Sequence, residues 1–96
     1  MNRITLTMLR NKVDQLNQLT GNPLEPYVTE EKGIRAAVGN YHLSGAYGGY
    51  ALHRHANPAG GVCDIFGRGH MTKRELYDLI CAYMAGIEAV DSSHAP

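Results

Sequence analysis

Apolar residues recur at helical spacing near the start of the chain, between residues 4 and 20. The recurring positions, three or four residues apart, are Leu6, Leu9, Val13, Leu16 and Leu19. Such spacing gives a helix one continuous apolar stripe. Thr5 can cap the start of this helix and Ile4 can pack onto Leu9. Gly21 and Pro23 are expected to end it, because glycine accepts a left-handed C-cap and proline cannot continue a helix.

The same periodicity returns in the last third of the chain, between residues 72 and 90. Its apolar positions are Leu76, Ile80, Tyr83, Met84 and Ile87. Thr72 and Glu75 have the spacing of a capping box, in which the threonine oxygen accepts a hydrogen bond from a helix amide. The pattern predicts a second helix, followed by a frayed tail over residues 91–96.

The segment between the two helices, residues 27–66, has the alternation of strands. Two short strands are expected on either side of a turn that ends at Gly33. The apolar residues of the second strand, which are expected to face the core, are Ile34, Ala36 and Val38. Past Gly39 the apolar parity changes, so a bulge or bend is predicted there.

A longer pair of strands is expected around the turn at residues 44–49. In its second strand, Tyr50, Leu52 and Arg54 share one face, and the other face carries Ala51, His53 and His55. Residues 62–66 are predicted to add a short edge strand. The elements together predict a single α+β domain over residues 1–96, with an antiparallel sheet of three to four strands flanked by an N-terminal and a C-terminal helix.

Length and charge narrow the class of protein. A chain of 96 residues makes one domain with a small core, which oligomerisation would stabilise. Nine Lys and Arg residues balance nine Asp and Glu residues, which argues against a nucleic-acid binder. The chain has no run of about 18 apolar residues, so no membrane span is expected. Two cysteines without a CxxC pattern favour a reducing cytoplasm over a disulfide framework.

Rings, cations and glycines are concentrated between Asn40 and Arg54. Glycine lets main-chain amides approach a ligand closely. Tyrosine offers a flat face and a hydroxyl, and histidine and arginine donate hydrogen bonds to phosphate or sugar. The candidate ligand-binding residues here are Tyr41, His42, Tyr47, Gly48, Gly49, Tyr50, His53 and Arg54. The alternative is that Tyr41 and Tyr50 are core residues and the glycines serve a hairpin.

A second group of cationic candidates surrounds the start of the C-terminal helix: Arg68, His70, Lys73 and Arg74. Positive side chains oppose the helix dipole at this position, and an anion bound to the free amides would remove the conflict. The alternative is a set of solvated cations compensated by Glu75. Asn57, in a loop of small residues, is a further candidate for hydrogen bonding to a ligand, or simply a turn residue.

Metal binding and nucleophilic catalysis have only partial signals. His53 and His55 have the HxH spacing that can chelate zinc, but a site needs further ligands. Cys63 beside a histidine would be a nucleophile, yet it falls in a predicted strand, where buried cysteines are usually inert. The chain has no GxSxG, HExxH or P-loop motif. We therefore predict no catalytic residue, no metal and no cofactor.

Several strings in the chain resemble short proteins encoded by tailed phages and prophages. They are VDQLNQLTGNPLEPY from residue 13, NYHLSGAYGGYALHR from residue 40, the asparagine at 57, GGV from residue 60, and GRGH with KRELYD between residues 67 and 78. The chain is also similar to the phage anti-Thoeris sponge proteins, which capture a cyclic ADP-ribose signal without cleaving it and form homo-oligomers. This resemblance implies an anti-defence protein that acts in the host cytoplasm.

Three functions from different classes follow as hypotheses. The first is a homo-oligomeric sponge for a nucleotide signal, in which Arg54 and Arg68, with Lys73 or Arg74, hold the phosphates and the Tyr and Gly residues of the 41–50 segment enclose base and ribose. The second is an inhibitor that contacts a host defence complex directly, with exposed rings as anchors. The third, an accessory nucleic-acid protein, is disfavoured by the zero net charge.

Overall fold

The computed structural model describes residues 3–93, and residues 91–93 by their backbone alone. In chain order the elements are α1 (Leu6–Thr20), β1 (Tyr27–Glu30), β2 (Gly33–Ala36), β3 (Tyr41–Ala46), β4 (Gly49–His55), β5 (Val62–Asp64) and α2 (Lys73–Ser93). The predicted α+β class and the order of helix, strands and helix are confirmed. Neither described helix is long and apolar enough to cross a membrane.

Local capping chemistry sets the ends of α1. The Thr5 hydroxyl accepts a hydrogen bond from the amide of Met8 at 3.1 Å, and Gly21 takes the left-handed C-cap conformation with φ of 70°. Ile4 and Leu9 are both buried, as a hydrophobic staple requires. The predicted caps at both ends of α1 are confirmed.

The capping residue Thr72 stands immediately before α2. Its hydroxyl accepts a hydrogen bond from the amide of Glu75 at 3.1 Å and donates one to the Glu75 carboxylate at 3.0 Å. The helix then continues through Ser93, three residues beyond its predicted end. The rest of the predicted frayed tail, residues 94–96, lies outside the described residues.

The strands divide into two sheets rather than one. The hairpin of β1 and β2 is separate from an antiparallel sheet with the order β3-β4-β5. The break comes after β2, where Gly39 adopts a φ of 92° that favours glycine. The expectation that Ile34, Ala36 and Val38 all face the core is wrong: Ala36 is buried, but Ile34 is 72% exposed and Val38 is 47% exposed, because β2 ends at Ala36 and no described residue covers the hairpin at Ile34.

One core lies between the two helices and one face of the three-stranded sheet. Its buried members are Leu9, Val13, Leu16, Tyr41, Leu52, Met71, Leu76 and Ile80. Both helices therefore cover the same face of the sheet, with α1 against β3 and α2 against β4. The register pairs Tyr41 with Arg54 and Leu43 with Leu52 on this helix-covered face.

The opposite face of the sheet has no helix against it. It carries His42 directly across from His53, and Ser44 across from Ala51. His70, from the segment before α2, hydrogen-bonds to the Ser44 hydroxyl at 3.1 Å and so reaches this face as well. We call it the histidine face.

Candidate functional site

A cleft of about 470 Å³ lies where the β3–β4 turn meets the start of α2. It is lined by Tyr47, Gly48, Gly49, Arg68, His70, Met71, Thr72 and Glu75. Five of these were predicted ligand-binding residues, drawn from two segments about twenty residues apart. We call this the turn cleft.

Tyr47 forms the tip of the turn in a conformation that costs free energy. Its φ is 55° and that of Gly48 is 75°, so both central residues of the two-residue loop have the positive φ of a type I′ turn. Glycine or asparagine normally takes the first position, because a bulky side chain is strained there. The Tyr47 side chain is 99% exposed, and its ring centroid lies 6.0 Å from that of His70.

Gly49 allows the two segments of the cleft to approach each other. The neighbouring residue Tyr50 exchanges two main-chain hydrogen bonds of 2.8 Å with Met71. A Cβ atom on Gly49 would lie 2.9 Å from the carbonyl oxygen of Met71, closer than such atoms approach. The absence of a side chain at Gly49 therefore allows the turn and the start of α2 to lie this close together.

The charged groups of the turn cleft are Arg68 and Glu75. Arg68 is exposed and has no ion pair among the described residues. The Glu75 carboxylate already accepts the hydrogen bond from Thr72. Arg74 lies 3.9 Å from Asp78, one turn further along α2, and Lys73 occupies the first position of that helix. The start of α2 is therefore capped by its own side chains, and Arg68 lines the turn cleft without an ion pair among the described residues.

Three other predicted ligand residues make contacts within the fold. Tyr41 is buried in the core, where its hydroxyl bonds that of Tyr83 at 3.0 Å; burial and this hydrogen bond raise the pKa of Tyr41 to about 12. Tyr50 packs against the same core. Asn57 holds its own loop, since its carboxamide oxygen accepts hydrogen bonds from the amides of Ala59 and Gly61 at 3.0 Å.

Arg54 is also separated from the turn cleft. Its guanidinium lies over the Tyr41 ring, 5.0 Å from the centroid, and its Nε donates to the carbonyl of Gly39 at 3.2 Å. Along β4 it stands about 17 Å from Gly49 at the strand rise of 3.3–3.4 Å per residue. The structure therefore does not bring Arg54 and Arg68 to one anion, and Arg54 is a packing residue.

The histidine face holds four of the five histidines of the chain. The His42 ring centroid lies 4.4 Å from that of His55 and 6.0 Å from that of His53, and His53 lies 6.4 Å from His70. His55 is 2% exposed, and neither of its ring nitrogens has a hydrogen-bond partner among the described residues. Within residues 3–93, no group of three or more His, Cys, Asp or Glu side chains has a metal-binding arrangement.

Burial and neighbouring imidazoles lower the pKa of His42. Desolvation is the largest cause, followed by the charges of His55 and His53, and a hydrogen bond to Asn40 partly offsets them. Protonating His42 would place a charge next to the imidazole rings of His53 and His55. The histidine face is thus most stable when His42 is neutral.

The thiol of Cys63 is not buried, contrary to the expectation from its strand pattern. It lies exposed on β5, the edge strand that pairs with Arg54 of β4. Cys81 is half-buried in α2. Among the described strands β5 pairs only with β4, so it forms one edge of the three-stranded sheet.

Sequence patterns did not indicate two features of the surface. One is a cleft of about 650 Å³ between α1 and β3, which includes Leu6, Arg10 and Val13. The other is the contact of Ser44 with His70, 26 positions apart. Both arise from packing between distant segments. The only sequence signal for a cleft beside β3 is the small size of Gly45 and Ser44.

Comparison with protein-family models, with curated proteins and with solved structures gives no match to this chain.

Proposed function

We propose that this protein binds a small anionic, nucleotide-like ligand in the turn cleft and sequesters it without cleavage. The observation that carries the proposal is the strained, fully exposed Tyr47 ring, which lines the same cleft as the main chain of Gly48 and as Arg68, a cation without an ion pair among the described residues. Strain of this kind persists where function retains it. A ring for stacking, a guanidinium for phosphate and the Gly48 amide for an oxygen suit one nucleotide unit.

Sequestration fits the cleft better than turnover because the carboxylate and the imidazole in its lining each already make a hydrogen bond within the fold. The Glu75 carboxylate is held by Thr72, and the Nε2 atom of His70 is hydrogen-bonded to Ser44. A general acid or base needs a free proton site within reach of the substrate. In line with the phage resemblance, we propose that the ligand is a nucleotide immune signal, such as a cyclic ADP-ribose isomer or a cyclic oligonucleotide, and that the protein acts in the host cytoplasm.

We further propose that the protein forms a homo-oligomer through the second half of α2. A groove of about 420 Å³ there is lined by Ala82, Tyr83, Gly86, Ile87 and Val90, none of them charged. The apolar stripe of α2 is buried at Leu76 and Ile80, half-buried at Ile87, and Val90 is 55% exposed. The stripe therefore continues past the part of the domain that covers it, and an identical uncharged groove can cover it without like-charge repulsion.

The exposed Tyr47 ring favours one alternative, direct contact with a host defence protein. Tyrosine is enriched among the residues that dominate protein interfaces. In that case Tyr47 would insert into a pocket of the partner, and no nucleotide would change the stability of the protein.

The ligand proposal is tested by thermal unfolding with a panel of cyclic ADP-ribose isomers and cyclic oligonucleotides. Ligand at 100 times its Kd should stabilise the wild type by about 2.7 kcal/mol. Arg68→Ala should weaken binding about 10- to 100-fold, because a charge-assisted hydrogen bond is lost. Arg35→Ala, in the separate hairpin, is the matched control and should bind normally.

Heat release after binding distinguishes sequestration from catalysis. Intact ligand recovered from the denatured complex supports the proposal, whereas a degraded product identifies an enzyme. The absence of any stabilisation, together with a stoichiometric host partner in a pull-down, would favour the protein-contact alternative.

Light scattering tests the oligomer. Gly86→Arg introduces a charge into the α2 groove at a position where an added Cβ atom meets no described atom outside the helix's own backbone within 4 Å, so the monomer should tolerate it. The mass should fall to that of one chain. Ala85→Arg, an exposed neighbour that does not line the groove, should leave the mass of the oligomer unchanged.

A further inference from the structure

The outer edge of β3 has unpaired main-chain groups. The amide of His55 donates to the carbonyl of Asn40 at 3.1 Å, so these two residues face each other as a hydrogen-bonded pair. Hydrogen-bonded and non-hydrogen-bonded pairs alternate along an antiparallel ladder. The N–H and C=O groups of His42 and Ser44 therefore point toward β4. The N–H and C=O groups of Leu43 and Gly45 therefore point away from the sheet. They have no hydrogen-bond partner in the described part of the chain.

The cleft of about 650 Å³ between α1 and β3 opens onto these groups, and we call it the edge cleft. Residues of α1 line one part of the edge cleft, and the loop at residues 24–26 lines another. Leu43 and Gly45 also line the edge cleft. Leu6, Val13 and Tyr50 give it an apolar floor. Its volume falls within the range of about 300–1,000 Å³ typical of ligand sites.

We propose that the edge cleft binds an extended peptide segment of a partner protein as an added strand beside β3. Free amides and carbonyls on one strand edge are the groups that a second main chain recognises, and alternate side chains of the added strand would reach the apolar floor. Each of Leu43 and Gly45 offers one donor and one acceptor to that chain.

A second copy of β3 is disfavoured at this position. Residues of α1 and of the loop at residues 24–26 line the cleft together with Leu43 and Gly45, so a second folded copy would have to bring its own α1 and loop up against these residues. A single extended chain without flanking structure can enter. The added strand is therefore a flexible segment and not the edge of another folded sheet.

The charged side chains that line the edge cleft indicate which peptide sequence it prefers. Arg10, Asp14 and Glu25 line the edge cleft, and none of them makes an ion pair within residues 3–93. Two carboxylates against one guanidinium leave an excess of negative charge. The preferred segment thus alternates apolar side chains and carries a lysine or arginine at its end near Asp14 or Glu25.

Gly45 offers a matched pair of variants. Gly45→Pro removes the outward N–H, and proline is tolerated on edge strands where that group does not bond to the neighbouring strand. Gly45→Ala keeps the N–H. A Cβ atom at this position first meets the Tyr50 ring at 3.4 Å, which is ordinary contact. Thermal unfolding of both variants verifies that each one is folded.

The probe is a phage-displayed library of random dodecapeptides selected on the intact protein. We expect enriched peptides with alternating apolar residues and a basic residue, binding to Gly45→Ala as to the wild type and about tenfold more weakly to Gly45→Pro. Asp14→Asn should reduce the preference for the basic residue. Methylation of alternate peptide amides should abolish binding, as an added strand requires.

Three outcomes would overturn the proposal. One is the absence of enrichment above an unrelated control protein. Another is that selected peptides bind Gly45→Pro as tightly as Gly45→Ala. The third is that the Gly45→Pro variant, without any peptide, has a lower oligomer mass than the wild type. That result would assign the edge to a second copy of the chain.

Discussion

The side chain of Asn17 pairs with the main chain of Tyr41 as a neighbouring strand would. The Asn17 carboxamide donates to the Tyr41 carbonyl at 2.9 Å and accepts from the Tyr41 amide at 2.8 Å. Both residues are buried. One residue of α1 thus closes the edge of β3 at its first position, and the edge cleft begins where this closure ends.

Replacing Asn17 by alanine should destabilise the fold strongly. The change leaves one buried donor and one buried acceptor of Tyr41 without partners, at a cost of about 2–4 kcal/mol in the free energy of unfolding. Urea denaturation measures the loss. Gln18→Ala, on the exposed side of the same helix turn, should stay within about 0.5 kcal/mol of the wild type. Equal effects of the two changes would contradict the role of Asn17.

Replacing His55 by leucine should not destabilise the protein, although the residue is buried. The two ring nitrogens of His55 lack partners, and removing unsatisfied buried polar atoms is neutral or favourable. We expect a gain of about 1 kcal/mol by urea denaturation. Leu52→Ala, an equally buried change on the same strand, should cost about 2–5 kcal/mol. A loss above about 1 kcal/mol in His55→Leu would show that its nitrogens are needed.

The protein should lose stability in mild acid. The pKa of His42 lies below its ordinary value of 6.5, so the unfolded chain binds this proton more readily than the folded chain. The free energy of unfolding should therefore decrease as the pH falls from about 6.5 through the lowered pKa. His42→Gln should flatten this dependence, measured as urea midpoints between pH 5 and 8. An unchanged slope in the variant would exclude His42 as its source.

A strongly alkaline solution should also destabilise the fold, through Tyr41. Its pKa of about 12 lies above the ordinary value of 10, so the unfolded chain releases the phenol proton first. Stability contributed by the neutral phenol should be lost as the pH rises from about 10 towards 12. Tyr41→Phe should reduce this slope in thermal unfolding scans. Tyr77→Phe, which changes a phenol outside this hydrogen bond, should keep it.

Tyr47→Asn should stabilise the protein and weaken ligand binding. Asparagine followed by glycine is the preferred pair for a type I′ turn, so relief of strain should raise the free energy of unfolding by about 0.5–1 kcal/mol. The same change removes the ring of the turn cleft. Tyr47→Phe keeps the ring and should retain most of the binding. Titration of ligand by calorimetry, with thermal unfolding in parallel, measures both effects; a destabilised Tyr47→Asn protein would contradict them.

Local chemistry was sufficient to predict the ends of the helices. The Thr5, Gly21 and Thr72 caps depend on groups within four residues of one another, and all three lie where the pattern placed them. The exposed Ile34 was beyond such prediction. Whether a strand face is buried depends on which distant segment packs against it. Here the chain bends at Gly39, after the hairpin, and Ile34 is left exposed.

The candidate site was predictable in part, for the same physical reason. Turn residues and the residues before a helix could be identified one by one, but their meeting in the turn cleft depends on the bridge between Tyr50 and Met71. Arg54 and Arg68 both stand close to histidines in glycine-containing segments, so the sequence does not distinguish them as candidate ligand residues. Its position opposite Tyr41 in the register, five residues from the turn, made it a packing residue.

The hairpin of β1 and β2 stands apart from the main sheet. A main-chain hydrogen bond joins it to the rest at Ala36, whose amide donates to the carbonyl of Pro58 at 3.0 Å. Its turn at residues 31–32 is exposed and lines neither cleft. A fluorescent label or an affinity epitope inserted at this turn would therefore report on the protein inside a cell without touching either of its proposed binding surfaces.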